Sequence, residues 1–117
     1  MKVSIITVTY NSAATLQDCI NSIVTQTYSD IEHIIVDGNS ADNTMEIVQL
    51  NQRVAKSLSE EDNGLYDAMN KGIEMATGQI IGILNSDDVF ADNKVIEDVV
   101  VQIKNNDSLY SDLCYVD

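Results

Sequence analysis

The chain has 117 residues, 44% of them hydrophobic, with no proline and a formal net charge of −13 from 6 basic and 19 acidic residues. That length allows one domain with a real core, and the acidity excludes a basic surface for nucleic acid and sets the average surface against an anionic membrane. No apolar run reaches the roughly 20 residues of a membrane-spanning helix.

The chain opens on a strand, Val3–Thr9, with neither the long apolar region nor the small-residue cleavage site of a signal peptide. The cytosol is therefore the expected compartment, and Cys19 and Cys114 read as free buried thiols whose spacing fits no zinc motif. Ser12 is placed to cap a helix running to about Thr25, with Leu16, Ile20, Ile23 and Val24 as its apolar stripe. After a turn at Thr27–Asp30, the second strand, Ile31–Val36, ends at Asp37-Gly38-Asn39-Ser40. A short helix, Thr44–Leu50, is capped by Asp42 or Asn43, and Val54–Leu58 is a weaker strand. The loop Glu60–Gly64 leads into a helix over Leu65–Ala76, with Met69, Ile73 and Ala76 expected inward and Gly78 closing it. Gln79–Leu84 is a continuous apolar run, hence a strand buried on both faces, and it stops abruptly near two adjacent carboxylates, Asp87 and Asp88. Asp92 caps a helix to about Asn105, and Leu109–Val116 reads as a fifth strand.

Strands alternating with helices predict an α/β fold, a mostly parallel sheet with helices on both faces. The carboxyl ends of its strands then share one edge, where open α/β sheets bind ligands. That edge collects Tyr10, Asn11, Asp37, Asn39, Asp62 and Asp87-Asp88 from four separate loops. Their convergence says more than any one of them.

Each candidate has a plain structural alternative. Asp37 is either an acceptor for a nucleotide's base or ribose, or the turn former of an Asp-Gly pair. Tyr10 either stacks on a base or packs at the rim. Asp62 either meets a ligand or caps the following helix, whose acidic start suits the macrodipole. Lys71, beside Asn70, either reaches a phosphate or is a solvated helix lysine. His33, the single histidine, reads as structural. Asp87 and Asp88 repel by about 4 kcal/mol at 4 Å with an effective dielectric near 20. Either Mg²⁺ or Mn²⁺ relieves that cost, since both take one or two carboxylates plus substrate phosphates, or a solvated turn does. The chain has no P-loop, G-x-G-x-x-G, nucleophile elbow or EF-hand loop.

Four stretches, in order, carry a resemblance: VSIITVTYN at the start, IVTQTYSDIEHIIVDGNSADNT, DNGLYDAMNKG from Asp62 to Gly72, and ILNSDD ending at Asp88. Together they resemble the N-terminal, nucleotide-sugar-binding half of a family 2, GT-A-fold glycosyltransferase, Rossmann-like in architecture, and the third is similar to bacterial enzymes of exopolysaccharide and O-antigen assembly. The resemblance implies an inverting, metal-dependent transfer from a nucleoside-diphosphate sugar, usually a UDP-sugar, to a glycan or lipid-linked acceptor. It implies that Tyr10 packs on the base, Asp37 accepts from it, Asp62 contacts the donor, Asp87 binds the ribose and Asp88 the Mg²⁺ or Mn²⁺. Asn85 stands where the family often has an acid, and Met69 where it often has an arginine. The family's acceptor half, with an Asp or Glu general base, is expected beyond Asp117, as is any peripheral association with the inner face of the membrane.

Two other classes fit parts of the pattern. One is a nucleotide-binding module without transferase activity. The other is a phospho-receiver domain, which needs its acidic pair after the first strand and a lysine after the fifth.

Overall fold

The computed structural model describes residues 1–105. The expected fifth strand and Cys114 lie outside them. Eight elements alternate: β1 (Val3–Thr9), α1 (Leu16–Val24), β2 (Ile31–Asp37), α2 (Thr44–Leu50), β3 (Val54–Ser59), α3 (Leu65–Met75), β4 (Ile80–Ile83) and α4 (Val95–Asn105). The strands form one parallel sheet in the order β3-β2-β1-β4. The α/β expectation holds, and the order supplies what the sequence lacked. The chain builds outward from β1 to β3, then returns to place β4 on the other side of β1. A switch point therefore lies between β1 and β4, the crevice where such sheets bind ligands.

Side-chain alternation assigns the faces. Ile6, Ile34, Val36 and Ile83 point to one face, where Ala68 of α3 covers them. Val3, Ile5, Ile35 and Ile80 point to the other, covered by Leu16, Cys19, Ile20 and Ile23 of α1, Val48 of α2, and Ile96, Val100 and Ile103 of α4. The α3 helix meets the core only partly as expected: Met69 and Ala76 pack against it, but Ile73 does not. Ala68 and Gly72 are buried, whereas Ile73 is exposed. Close approach explains the change: a Cβ on Gly72 would lie 2.6 Å from Ile6 Cγ2, so the backbone itself is pressed onto β1.

The α1 helix starts at Leu16, later than a cap at Ser12 predicts. The Ser12 carbonyl accepts the N–H groups of Thr15 and Leu16, forming a preliminary turn, while its hydroxyl is engaged elsewhere. Asp42 does serve α2, accepting the Thr44 N–H at 3.0 Å. Asp92 accepts the Lys94 N–H at 2.8 Å ahead of α4.

Two buried polar groups hold the sheet away from its carboxyl edge. At the opposite edge Glu32 accepts from Ser4 Oγ at 2.8 Å, Thr77 N at 2.9 Å and Thr77 Oγ1 at 3.0 Å, and pairs with Lys56 Nζ at 3.2 Å. Burial by itself would raise its pKa, but these donors and the lysine bring it down to about 2. Mid-sheet, His33 Nε2 meets Thr7 Oγ1 at 2.9 Å, and burial lowers its pKa to about 4, so the ring is neutral at pH 7. Its role is structural, as the sequence suggests.

Candidate functional site

The carboxyl edge is built on a single rung of the sheet. Thr9, Asp37 and Ser59 are the last residues of β1, β2 and β3, and they stand in register. Asp37, 0% exposed, holds the rung together. Its Oδ1 accepts from Thr9 Oγ1 at 2.7 Å and Ser40 Oγ at 2.5 Å, and its Oδ2 from Ser40 N and Ser59 Oγ, both at 2.9 Å. A carboxylate offers about four acceptor positions, and all four are filled. Burial would raise the Asp37 pKa, but the bonds from Ser40, Thr9 and Ser59 hold it below the usual aspartate value.

Above that rung, the loop after β1 is stitched to the loop after β2. Asn11 and Asn39 both adopt positive φ, 49° and 64°, which asparagine tolerates better than most residues. Asn11 donates its N–H to Ser40 Oγ at 2.8 Å and accepts from Ala41 N at 2.8 Å. Ser12 N–H donates to Thr44 Oγ1 at 2.8 Å. Across the switch point, Ser12 Oγ meets Ser86 Oγ at 3.0 Å, joining the β1 loop to the loop after β4. These bonds fix the mouth of the crevice on two sides.

A cavity of about 650 Å³ opens there, walled by Tyr10, Ser12, Gly38, Asp62, Leu65 and Ser86 among others. Its size suits a small-molecule ligand. Tyr10, 66% exposed, lines it. Asp62 enters from the β3–α3 loop with its Oδ1 held by the Gly64 N–H at 3.0 Å. Of the residues expected here, the structure thus brings Tyr10 and Asp62 to the wall. Asp37 lies beneath it. Its expected contact with a base finds no unfilled acceptor position, because the carboxylate is consumed by the rung. Asp87 and Asp88 follow Ser86 on the same loop, just outside the cavity lining. Asp87 is exposed and Asp88 half-buried. Asp88 N–H donates to the Asn85 carbonyl at 3.0 Å, closing a turn, and Asp88 Oδ2 accepts from Asn85 Nδ2 at 3.3 Å.

The acidic pair fits a divalent cation of limited kind. Among the described residues no group of three or more His, Cys, Asp or Glu is gathered to cage a metal. Two adjacent hard oxygen ligands suit Mg²⁺ or Mn²⁺ that completes its shell with water and ligand phosphates. The wall carries Glu61 and Asp62 but no lysine or arginine. Lys71 does not compensate: it is tied to Glu60 at 3.1 Å, Asp67 at 3.5 Å and the Glu61 carbonyl at 3.2 Å. The described wall therefore offers an anionic ligand no side-chain cation of its own.

Sequence reasoning missed Gly38, Ser12 and Ser86 as wall residues. Their only signal was position, one to three residues past a strand end. The phospho-receiver alternative loses its basis, since the acidic pair follows β4 while β1 is followed by Tyr10-Asn11. No helix among the described residues is long and apolar enough to cross a membrane.

Comparison with known proteins agrees with this geometry. The chain is 34% identical over 106 residues to the *Escherichia coli* UDP-Glc:alpha-D-GlcNAc-diphosphoundecaprenol beta-1,3-glucosyltransferase WfgD, covering 89% of this chain and 42% of that protein. It superimposes on *S. aureus* TarS 1-349 in complex with UDP-GlcNAc with a TM-score of 0.85 at 25% identity, covering 92% of this chain and 32% of that one. It matches the mannosyltransferase PcManGT from *Pyrobaculum calidifontis*, in complex with GDP-Man and Mn²⁺, with a TM-score of 0.80 at 26% identity, covering 87% and 32%. The chain spans less than half the length of the curated relatives it matches, from 31% to 45%. The sequence profile described as Glycosyl transferase family 2 matches residues 4–116, and the chain belongs to that family.

Proposed function

We propose that the protein transfers a sugar from a nucleoside-diphosphate sugar, with UDP as the expected carrier, to a glycan or lipid-linked acceptor, and that the residues described here hold the donor. The observation that carries this reading is the meeting of four strand-end loops at one crevice, with an aromatic ring on its wall and two carboxylates beside it. The TarS complex with UDP-GlcNAc and the PcManGT complex with GDP-Man and Mn²⁺ support a nucleotide-sugar and a divalent cation in this place. The name of WfgD, with its UDP-Glc donor and diphosphoundecaprenol acceptor, supports a lipid-linked acceptor.

In this reading Tyr10 packs its ring on the base, Asp62 contacts the donor, Asp87 meets the ribose and Asp88 holds Mg²⁺ or Mn²⁺. The cation, when bound, neutralises charge developing on the departing diphosphate. The chain's own contribution is positioning: Asp37 fixes the rung from which the base-end loops start, and the Ser12–Ser86 bond sets the width of the crevice. Inversion requires an acceptor hydroxyl to attack the anomeric carbon in one displacement, with a carboxylate base taking its proton. That base is expected outside the described residues.

Calorimetry of the intact protein with UDP and Mn²⁺ tests the assignment. Mn²⁺-dependent binding that is lost in Asp88→Ala is the expected result. No binding by the wild type, or binding unaffected by Asp88→Ala, would sink it.

A further inference from the structure

We propose that Asp62 is the residue that reads the base of the nucleotide, and that Gly38 is what admits it to that position. The proposal rests on the reading of the cleft as a nucleoside-diphosphate site.

Three observations place the reading group. Asp37, the acid at the end of β2, has no acceptor position left and lies below the wall. Gly38, the next residue, is pinned by its N–H to the Thr9 carbonyl at 2.9 Å, so its Cα cannot drift. A Cβ there would sit 2.8 Å from Asp62 Oδ2 and 3.5 Å from Tyr10 Cδ1. The Asp62 carboxylate therefore occupies the space that a side chain at position 38 would fill, next to the aromatic ring. Finally, only one of its oxygens is used among the described residues. Oδ1 accepts the Gly64 N–H, from a residue with φ of 110°, a conformation that favours glycine. Among the described residues Oδ2 receives no hydrogen bond, and Asp62 lines the cleft.

An ionised carboxylate only accepts. Placed beside a ring that stacks the base, it pairs with the imino N–H that uracil carries at N3 and guanine at N1. Cytosine and adenine present a bare nitrogen lone pair at the corresponding place, which an anion repels. Asp62 thus selects uridine or guanosine nucleotides over cytidine and adenosine ones, while the diphosphate is held independently at Asp87-Asp88.

Asp62→Asn inverts this selection by a definite route. The Gly64 N–H can only donate, so it keeps the amide oxygen, and the amide nitrogen turns to the place of Oδ2. An acceptor becomes a donor with almost no change in shape. Titration of the intact protein with UDP, GDP, CDP and ADP at saturating Mn²⁺ reads the result. The wild type is expected to prefer UDP or GDP, and Asp62→Asn to weaken that binding by about 10- to 100-fold, the scale of one charge-assisted hydrogen bond, with CDP or ADP gaining relative to it. Gly38→Ala, whose new Cβ crowds the tip of the flexible Asp62 side chain and lies at ordinary contact distance from Tyr10, is expected to displace Asp62 and weaken UDP binding while leaving the unfolding midpoint unchanged. An unaltered base preference in Asp62→Asn would overturn the assignment, as would a base preference changed by Asp37→Asn but not by Asp62→Asn. Absence of any nucleoside-diphosphate binding by the wild type would overturn the donor-site reading along with it.

Discussion

Asp37→Asn separates a structural acid from a ligand-contacting one. The Ser40 N–H can only donate, so the amide oxygen must take the place of Oδ2, where it also receives Ser59 Oγ. The amide nitrogen then faces Thr9 Oγ1 and Ser40 Oγ, both of which donate to Oδ1 in the native chain. Both hydroxyls must turn round and find new acceptors for their protons. Four bonds to a charged acceptor become neutral ones, a loss of roughly 1 kcal/mol each. Removing a buried charge returns on the order of 2 kcal/mol of that, so the net destabilisation is about 2 kcal/mol. The sign of its pH dependence follows from the lowered Asp37 pKa. The carboxylate's contribution is present above the unfolded aspartate value, about 3.9, and is lost as pH falls through the lower folded value. The gap between wild type and Asp37→Asn should therefore be full at pH 7 and shrink on acidification. Urea denaturation of both proteins at pH 7 and at a pH below the unfolded aspartate value, read as midpoints at constant slope, measures it. Equal midpoints at pH 7, with UDP binding lost in the variant, would refute the structural account and return Asp37 to the cleft.

Gly72→Ala places a methyl 2.6 Å from Ile6 Cγ2 and is expected to destabilise by about 1–3 kcal/mol; a double-mutant cycle with Ile6→Ala should show a cost smaller than the sum of the single changes. His33, whose folded pKa is about 4 against an ordinary 6.5, contributes stability above pH 6.5 that is lost as pH falls from there to about 4, because the unfolded chain takes up the proton first. In His33→Gln, midpoints measured across that window should lose this part of their slope; an unchanged slope would show that another group carries it.

Much of the molecule was legible from local pattern. The bounds of β1 and α2, the buried run of β4 and the arrival of polar residues at one edge all follow from short-range periodicity and punctuation, which act within a few residues of one another. The cleft residues Tyr10 and Asp62 were legible for the same reason, since each sits where a strand ends. The misreadings were of another kind. Ser12 has a capping residue's chemistry, but Ser86, 74 positions away, engages its hydroxyl. Ile73 fits an apolar stripe, but the closeness of α3 to Ile6 turns Gly72 inward instead.

The sequence by itself determined the class of fold, the order of its elements and the acids available to a ligand. Tertiary structure alone decided the side of β1 on which β4 lies, and hence where the crevice opens. It also decided the division of labour among the acids. An aspartate's chemistry is the same at positions 37 and 62; its role depends on which donors the fold brings to it. Two strands and a loop give Asp37 four donors and fill its acceptor positions, while Asp62 receives one among the described residues.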